Sequence, residues 1–393
     1  MKENKVMPAF SIVDEIRSIF GDDLIPLHRP VFDGNERQYL VDCIDSNFVS
    51  SVGEKVTELE QRIANFAGTR FAIAAVNGTS ALHISLELVG VESGDEVITQ
   101  ALTFIATCNA TRYCNAWPVF IDVDQDSLGM SPDALRGFLE NNAEKRTEGT
   151  FNRVSGRRLA ACAPMHTFGM PCRIEEIVAV CQEFGIPVVE DAAESLGSYV
   201  GKQHTGSFGT LGTFSFNGNK VITTGGGGMI VTNNEELALR AKYITTTAKV
   251  PHPWEFVHDE VGYNYRLPNL NAALGCAQME RLPEMLAIKA QVAERYARVI
   301  DRLDGIELVK PRAGVTPNHW LNAVLLENRE ERDSFLEYTN SQGVMTRPVW
   351  TLMHRLKMFA HCQHDGLETS SWLEERLVNL PSSVPEGALE SVS

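Results

Sequence analysis

Hydrophobic positions between residues 71 and 191 fall into two alternating spacings. Short apolar runs have the length of buried strands: "FAIAAVN" (71–77), "DEVITQ" (95–100), "WPVFIDVD" (117–124), "RLAACAPMH" (158–166) and "IPVVED" (186–191). Between them lie longer stretches with helical spacing, at 79–90, 104–115, 131–141 and 173–185. Gly90 and Gly185 close two of these helices, and Ser131 followed by Pro132 opens a third. The repeated strand–helix order predicts an α/β fold: a large, mostly parallel sheet with helices on both faces.

The pattern then changes. "GTFSFN" (212–217) and "GMIVTN" (228–233) read as two strands around a lysine and a run of glycines. A helical stretch begins at "RLPNLNAALGCAQMERL" (266–282) and continues to about residue 303. Beyond it come a strand at 320–326 and a helix at 329–343. The expected division is a large α/β domain with an N-terminal helical segment, residues 1–280, and a smaller C-terminal α/β domain, residues 281–393. The final 381–393 is polar and reads as partly disordered.

Composition narrows the classes. Of 393 residues 44% are hydrophobic and 22% charged, which suits a soluble globular chain. The formal net charge is −16 and there is no Lys/Arg run, so nucleic-acid binding is excluded. Anionic small molecules are not, because a site can be locally basic in an acidic protein. No stretch of ~18 apolar residues predicts a membrane span. The first 20 residues lack the apolar core of a signal peptide. Eight cysteines without a CxxC pair read as buried free thiols in a reducing compartment. A cytoplasmic protein is expected.

In open parallel sheets ligands bind at the carboxyl ends of the strands. After the first strand, Asn77-Gly78-Thr79-Ser80 opens a helix, which serves either as a phosphate cradle or as an ordinary N-cap. His166 ends a later strand, in either a structural or a ligand role. Asp191 ends another and starts Asp191-Ala-Ala-Glu194; it either pairs with a cationic ligand or caps the turn. His166, Asp191 and Glu194 lack the spaced His/Cys partners of a metal site, and none is expected. Lys220 lies between two buried strands, just before Gly225–Gly228. A lysine, a carboxylate and a phosphate cradle in one α/β sheet protein suit pyridoxal phosphate. That cofactor needs an amine to attach to, a partner for its ring nitrogen and a phosphate cup. The glycines form neither a GxGxxG nor a GxxxxGK[ST] motif; they provide φ > 0 turns and close backbone approach.

Six stretches in this order and spacing resemble the DegT/StrS family of nucleotide-sugar aminotransferases: "NGTSALHISL", "TFIATCNA", "HTFG", "VVEDAAESLG", "GTFSFNGNKVITTGGGGMI" and "GYNYRLPNLNAALGCAQ". The likeness covers roughly residues 25 to 385 and implies the fold type I architecture of pyridoxal-phosphate transferases. "NFVSSVGEKV" and "NHWLNAVLL" resemble most the subgroup of bacillosamine- and legionaminic-acid-type pathways. The resemblance implies roles. Lys220 carries the cofactor and shuttles the proton, and Asp191 pairs with the ring nitrogen. Phe104 stacks on the ring, while Thr79, Ser80 and Ser215 hold the phosphate. Asn264 reaches the cofactor of a second subunit with Arg266 nearby, so a homodimer with shared sites is implied. Arg266 and His354 are the candidate substrate cations. Two positions depart from the family. Glu194 stands where Gln or His is common, and Gly226 where many relatives carry Glu.

The implied reaction moves an amino group from L-glutamate to the 4-keto carbon of a nucleotide-linked 4-keto-6-deoxyhexose, for lipopolysaccharide or capsule biosynthesis. A UDP-linked 2-acetamido sugar is the expected acceptor, and a GDP-linked, perosamine-type sugar the alternative. A sugar dehydratase on the same fold would have lost Lys220. A non-catalytic sugar-nucleotide binder would have lost Lys220 or Asp191. A dinucleotide oxidoreductase would need a glycine fingerprint that "NGTSALH" does not supply.

Overall fold

The computed structural model describes residues 7–389. Its largest feature is a seven-stranded sheet. In chain order its strands are β1 (Phe71–Ala75), β2 (Glu96–Gln100), β3 (Trp117–Ile121), β4 (Leu159–Ala163), β5 (Val189–Asp191), β6 (Leu211–Ser215) and β7 (Gly228–Thr232). They lie in the order β3-β2-β4-β5-β6-β7-β1. The β4–β5 junction is made by the Cys162–Val188 and Met165–Asp191 bridges. Only β7 runs against its neighbours β6 and β1. The sheet is therefore mostly parallel, as expected.

Side-chain alternation covers both faces. Met229 and Val231 of β7 join one core cluster with Phe214 and Phe120, while Ile230 joins another with Ile73, Ala75 and Leu211. The carboxyl ends of β1, β5 and β6 point the same way. The segments that leave them carry Asn77–Ser80, Asp191–Glu194 and Lys220 to one edge.

A smaller antiparallel sheet follows: β8 (Ile306–Leu308), β9 (Asn322–Leu326), β10 (Arg347–Pro348) and β11 (Leu377–Leu380), in the order β8-β9-β11-β10. The expected boundary at 280/281 falls inside one helix, Asn269–Ile300, which contains Pro283. The N-terminal helix Met7–Phe20 packs on the small sheet, where Ile12 and Ile16 meet Tyr296, Val324 and Phe335. We propose that this helix belongs to the smaller unit. The tail departs from expectation. Ser382 and Ser383 are buried, with Ser382 Oγ accepting from Asn322 N–H at 2.9 Å. Residues 390–393 of that tail lie outside the described residues, as do 1–6 of the N-terminal segment. Among the described residues no helix is long and apolar enough to cross a membrane.

Glu190, fully buried in β5, ties the strand to the turn that precedes β6. Its carboxylate accepts the N–H groups of Gly206 (2.7 Å), Phe208 (2.6 Å) and Gly209 (2.7 Å), and lies 3.0 Å from His166 Nε2. His166 is thus a structural histidine. Truncating Glu190 strands three backbone donors, that of Gly206 buried and those of Phe208 and Gly209 half-buried. Glu190→Ala is expected to cost at least about 3 kcal/mol in urea unfolding; a loss below about 1 kcal/mol would mean that water replaces the carboxylate.

Candidate active site

Where the three strand ends meet, a cavity of about 320 Å³ opens between the two sheets. Thr79, Phe104, Asp191, Glu194, Ser215 and Lys220 all line it. The phosphate-cradle side is built by helix Gly78–Leu88. Asn77 caps it, its Oδ1 accepting from Ser80 N–H at 2.7 Å. Ser80 is buried behind the lining and is not part of it.

The glycines at this end have distinct reasons. A Cβ on Gly228 would lie 2.5 Å from the backbone carbonyl of Asn77, and one on Gly78 2.8 Å from Ser215 Cβ. Gly225 takes φ +77°, and a Cβ on Gly226 would meet nothing within 4 Å. One run of four glycines thus contains a tight contact, a left-handed turn and an unconstrained position.

Asp191 is buried and fixed from two sides. Its Oδ2 accepts from the Thr107 hydroxyl at 2.6 Å and its Oδ1 from Ala193 N–H at 3.2 Å. Helix Ile105–Tyr113 makes this possible, because Phe104 caps it and Thr107 follows within the first turn. Phe104 projects a half-exposed ring into the cavity, 5.9 Å from the ring of Trp350.

Lys220 Nζ lies 3.1 Å from Glu194 Oε1 and 4.0 Å above the Trp320 ring. The second oxygen of Glu194 accepts from Phe168 N–H at 2.9 Å. Burial pushes the Glu194 carboxyl above the ordinary carboxylate range; Lys220 and the Phe168 N–H pull it back, and Asp191 adds to the rise. The Trp320 indole N–H donates to the carbonyl of Asn219 at 2.6 Å, so it braces the residue next to Lys220.

Besides Ser80, three expected residues do not line the cavity. Asn264 and Arg266 are exposed and bonded to each other, Arg266 Nε donating to Asn264 Oδ1 at 3.0 Å. His354 sits in a short 3₁₀ turn with its ring 5.3 Å from that of His364. Burial, with His364 and Arg355 close by, lowers its proton affinity, which makes it a poor cation for an anionic substrate. Sequence reasoning passed over Thr107, Trp320 and Trp350. The first two were signalled: Thr107 stands three residues after Phe104, and Trp320 ends the "NHW" of a stretch already singled out. Among the described residues no group of three or more His, Cys, Asp or Glu is placed to hold a metal ion.

Residues 30–391 match the model of the DegT/DnrJ/EryC1/StrS aminotransferase family. The chain is 37% identical over 365 residues to EpsN of Bacillus subtilis, covering 93% of this chain and 91% of that one. It is 35% identical over 362 residues to a GDP-perosamine synthase of Caulobacter vibrioides, covering 91% and 93%. Among solved structures, the aminotransferase TlmJ from Streptoalloteichus hindustanus superposes with a TM-score of 0.83 at 26% identity, covering 94% of this chain and 96% of that one. These likenesses bear out the expected fold class.

The glycine run gives a paired test. Gly228→Ala is expected to lower unfolding stability by about 1–3 kcal/mol, because backbone must move. Gly226→Ala should stay within about 0.5 kcal/mol. Thermal denaturation of both variants checks the contrast, and equal losses would refute this account of the glycines.

Proposed function

The chain belongs to the DegT/DnrJ/EryC1/StrS aminotransferase family, and we propose that it moves an amino group from L-glutamate to the 4-keto carbon of a nucleotide-linked 4-keto-6-deoxyhexose, using pyridoxal phosphate. One observation carries this reading: Lys220 shares a single cavity with the buried carboxylate of Asp191 and the open N-terminus of helix Gly78–Leu88.

The residues present fit the cofactor. The N–H groups at that helix start, with the Thr79 and Ser215 hydroxyls, suit its phosphate. The contact at Gly228 leaves no room for a side chain beside them. When bound, pyridoxal phosphate supplies an aldehyde that takes up the donor's amine and a ring that accepts the electron pair left when a C–H proton departs. Asp191, held by Thr107 and Ala193, would pair with the ring nitrogen and favour its protonated form. Lys220 Nζ removes and returns the proton, and Glu194 Oε1, 3.1 Å away, steadies its charged form. Phe104, Trp320 and Trp350 wall the cavity and restrict water.

The acceptor has two readings. The motif resemblance favours a UDP-linked 2-acetamido sugar. The 35% identity to a GDP-perosamine synthase supports a GDP-linked one. Homodimerisation belongs to the same proposal, with Asn264 and Arg266 serving the second copy's site. Exposed Trp254, Phe256 and Val261 nearby give that surface apolar area to bury. All eight cysteines are buried and unpaired, which suits a reducing, cytoplasmic compartment.

The purified protein is expected to show a visible cofactor band that is lost on adding L-glutamate. A UDP- or GDP-linked 4-keto sugar should restore it, and mass spectrometry identifies the aminated product. Lys220→Ala should abolish both the band and turnover. Asp191→Asn should slow turnover by about 10²–10³-fold. A fully active Lys220→Ala enzyme would overturn the reading.

A further inference from the structure

Lys289, in the middle of helix Asn269–Ile300, is only 1% exposed. Among the described residues no carboxylate pairs with it. Its ammonium meets three acceptors instead: His28 Nε2 at 3.1 Å, the Trp320 carbonyl at 3.4 Å, and the Ser382 carbonyl. An ammonium has three N–H donors, and here each has one acceptor. The acceptors come from three separate segments: the irregular stretch that follows helix Met7–Phe20, the approach to β9, and the tail after β11.

Trp320 is the point at which this cluster meets the site. Its backbone is held by Lys289, its indole lies 4.0 Å from Lys220 Nζ, and its ring N–H donates to the Asn219 carbonyl. We propose that Lys289 is a positioning residue that sets Lys220 through Trp320, so that its loss disturbs the reactive amine without touching the cavity. The inference rests on reading Lys220 as that amine.

Physical chemistry adds a condition. Burial lowers the proton affinity of Lys289 to about 7. The other titratable groups facing this cluster are His28, His319 and, through His28, Lys220. Burial holds His28 well below the ordinary imidazole range and His319 down to about 4, so both imidazoles stay neutral near pH 7. As pH rises through about 7, Lys289 loses one donor and must release one of its three acceptors.

The test uses full-length protein with 5-fluorotryptophan at its five tryptophans, read by fluorine NMR. The Trp320 line is the one missing from Trp320→Phe. In the parent it is expected to shift in one step near pH 7; in Lys289→Met the step disappears. In the same variant kcat should fall by about 10- to 100-fold while the glutamate KM changes by less than about twofold. If Lys289→Met does not fold, Lys289→Gln is expected to lack the step too, since an amide does not titrate. No step in the parent, or a step that survives in the variant, overturns the proposal. Absence of the cofactor band would instead sink the reading of Lys220, whatever the Trp320 line does.

Discussion

Two carboxylates in adjacent positions, Glu190 and Asp191, are buried at the end of the central strand β5, and side-chain alternation sends them to opposite faces. Burying one carboxylate is costly; burying two neighbours is tolerable only if each is satisfied separately. Glu190 spends its oxygens inward, on three N–H groups and His166. Asp191 faces the cavity, where Thr107 and Ala193 hydrogen-bond to it. The first carboxylate fixes the strand, and the fixed strand lets the second keep hydrogen-bonding capacity for a ligand.

That division explains which parts were legible from sequence. The five buried strands between residues 71 and 191 were legible because each is short, apolar and bounded by a turn, whereas the polar hairpin of Ala143–Arg146 and Gly149–Asn152 was missed. Lys220, Asp191 and Thr79 were legible because they follow strand ends, where an open sheet exposes them. The role of Thr107 was not. It depends on one helix turn facing a strand 84 residues away, and a threonine in an apolar helix looks like core. The tail misled for the opposite reason. Its serines and prolines look like solvent-facing chain, yet Ser382 and Ser383 are buried, with Ser382 bonded to β9 and to Lys289. Polarity predicts exposure only when no buried donor is waiting for a carbonyl.

The lysine at the centre is held by residues that flank both sheets. Glu194, from the segment after β5, supplies charge; Trp320, from the small sheet's edge, supplies a face and a brace at Asn219. Residues flanking the small sheet, Trp320 and Trp350, therefore line the cavity together with those at the strand ends of the large sheet.

A net charge of −16 opposes a phosphate and a sugar diphosphate at long range, but net charge acts at a distance and a site acts at contact. Exposed charges beyond about 8 Å are largely screened at physiological salt. Among the described residues the cavity lining carries one ammonium, Lys220, which Glu194 neutralises in part. On the proposed reading, attraction for a phosphate comes from oriented dipoles: the N–H groups at the start of helix Gly78–Leu88 and the hydroxyls of Thr79 and Ser215. Dipoles bind an anion only where backbone can approach it closely. A side chain at Gly228 would press on the backbone of Asn77, at the turn that opens this helix.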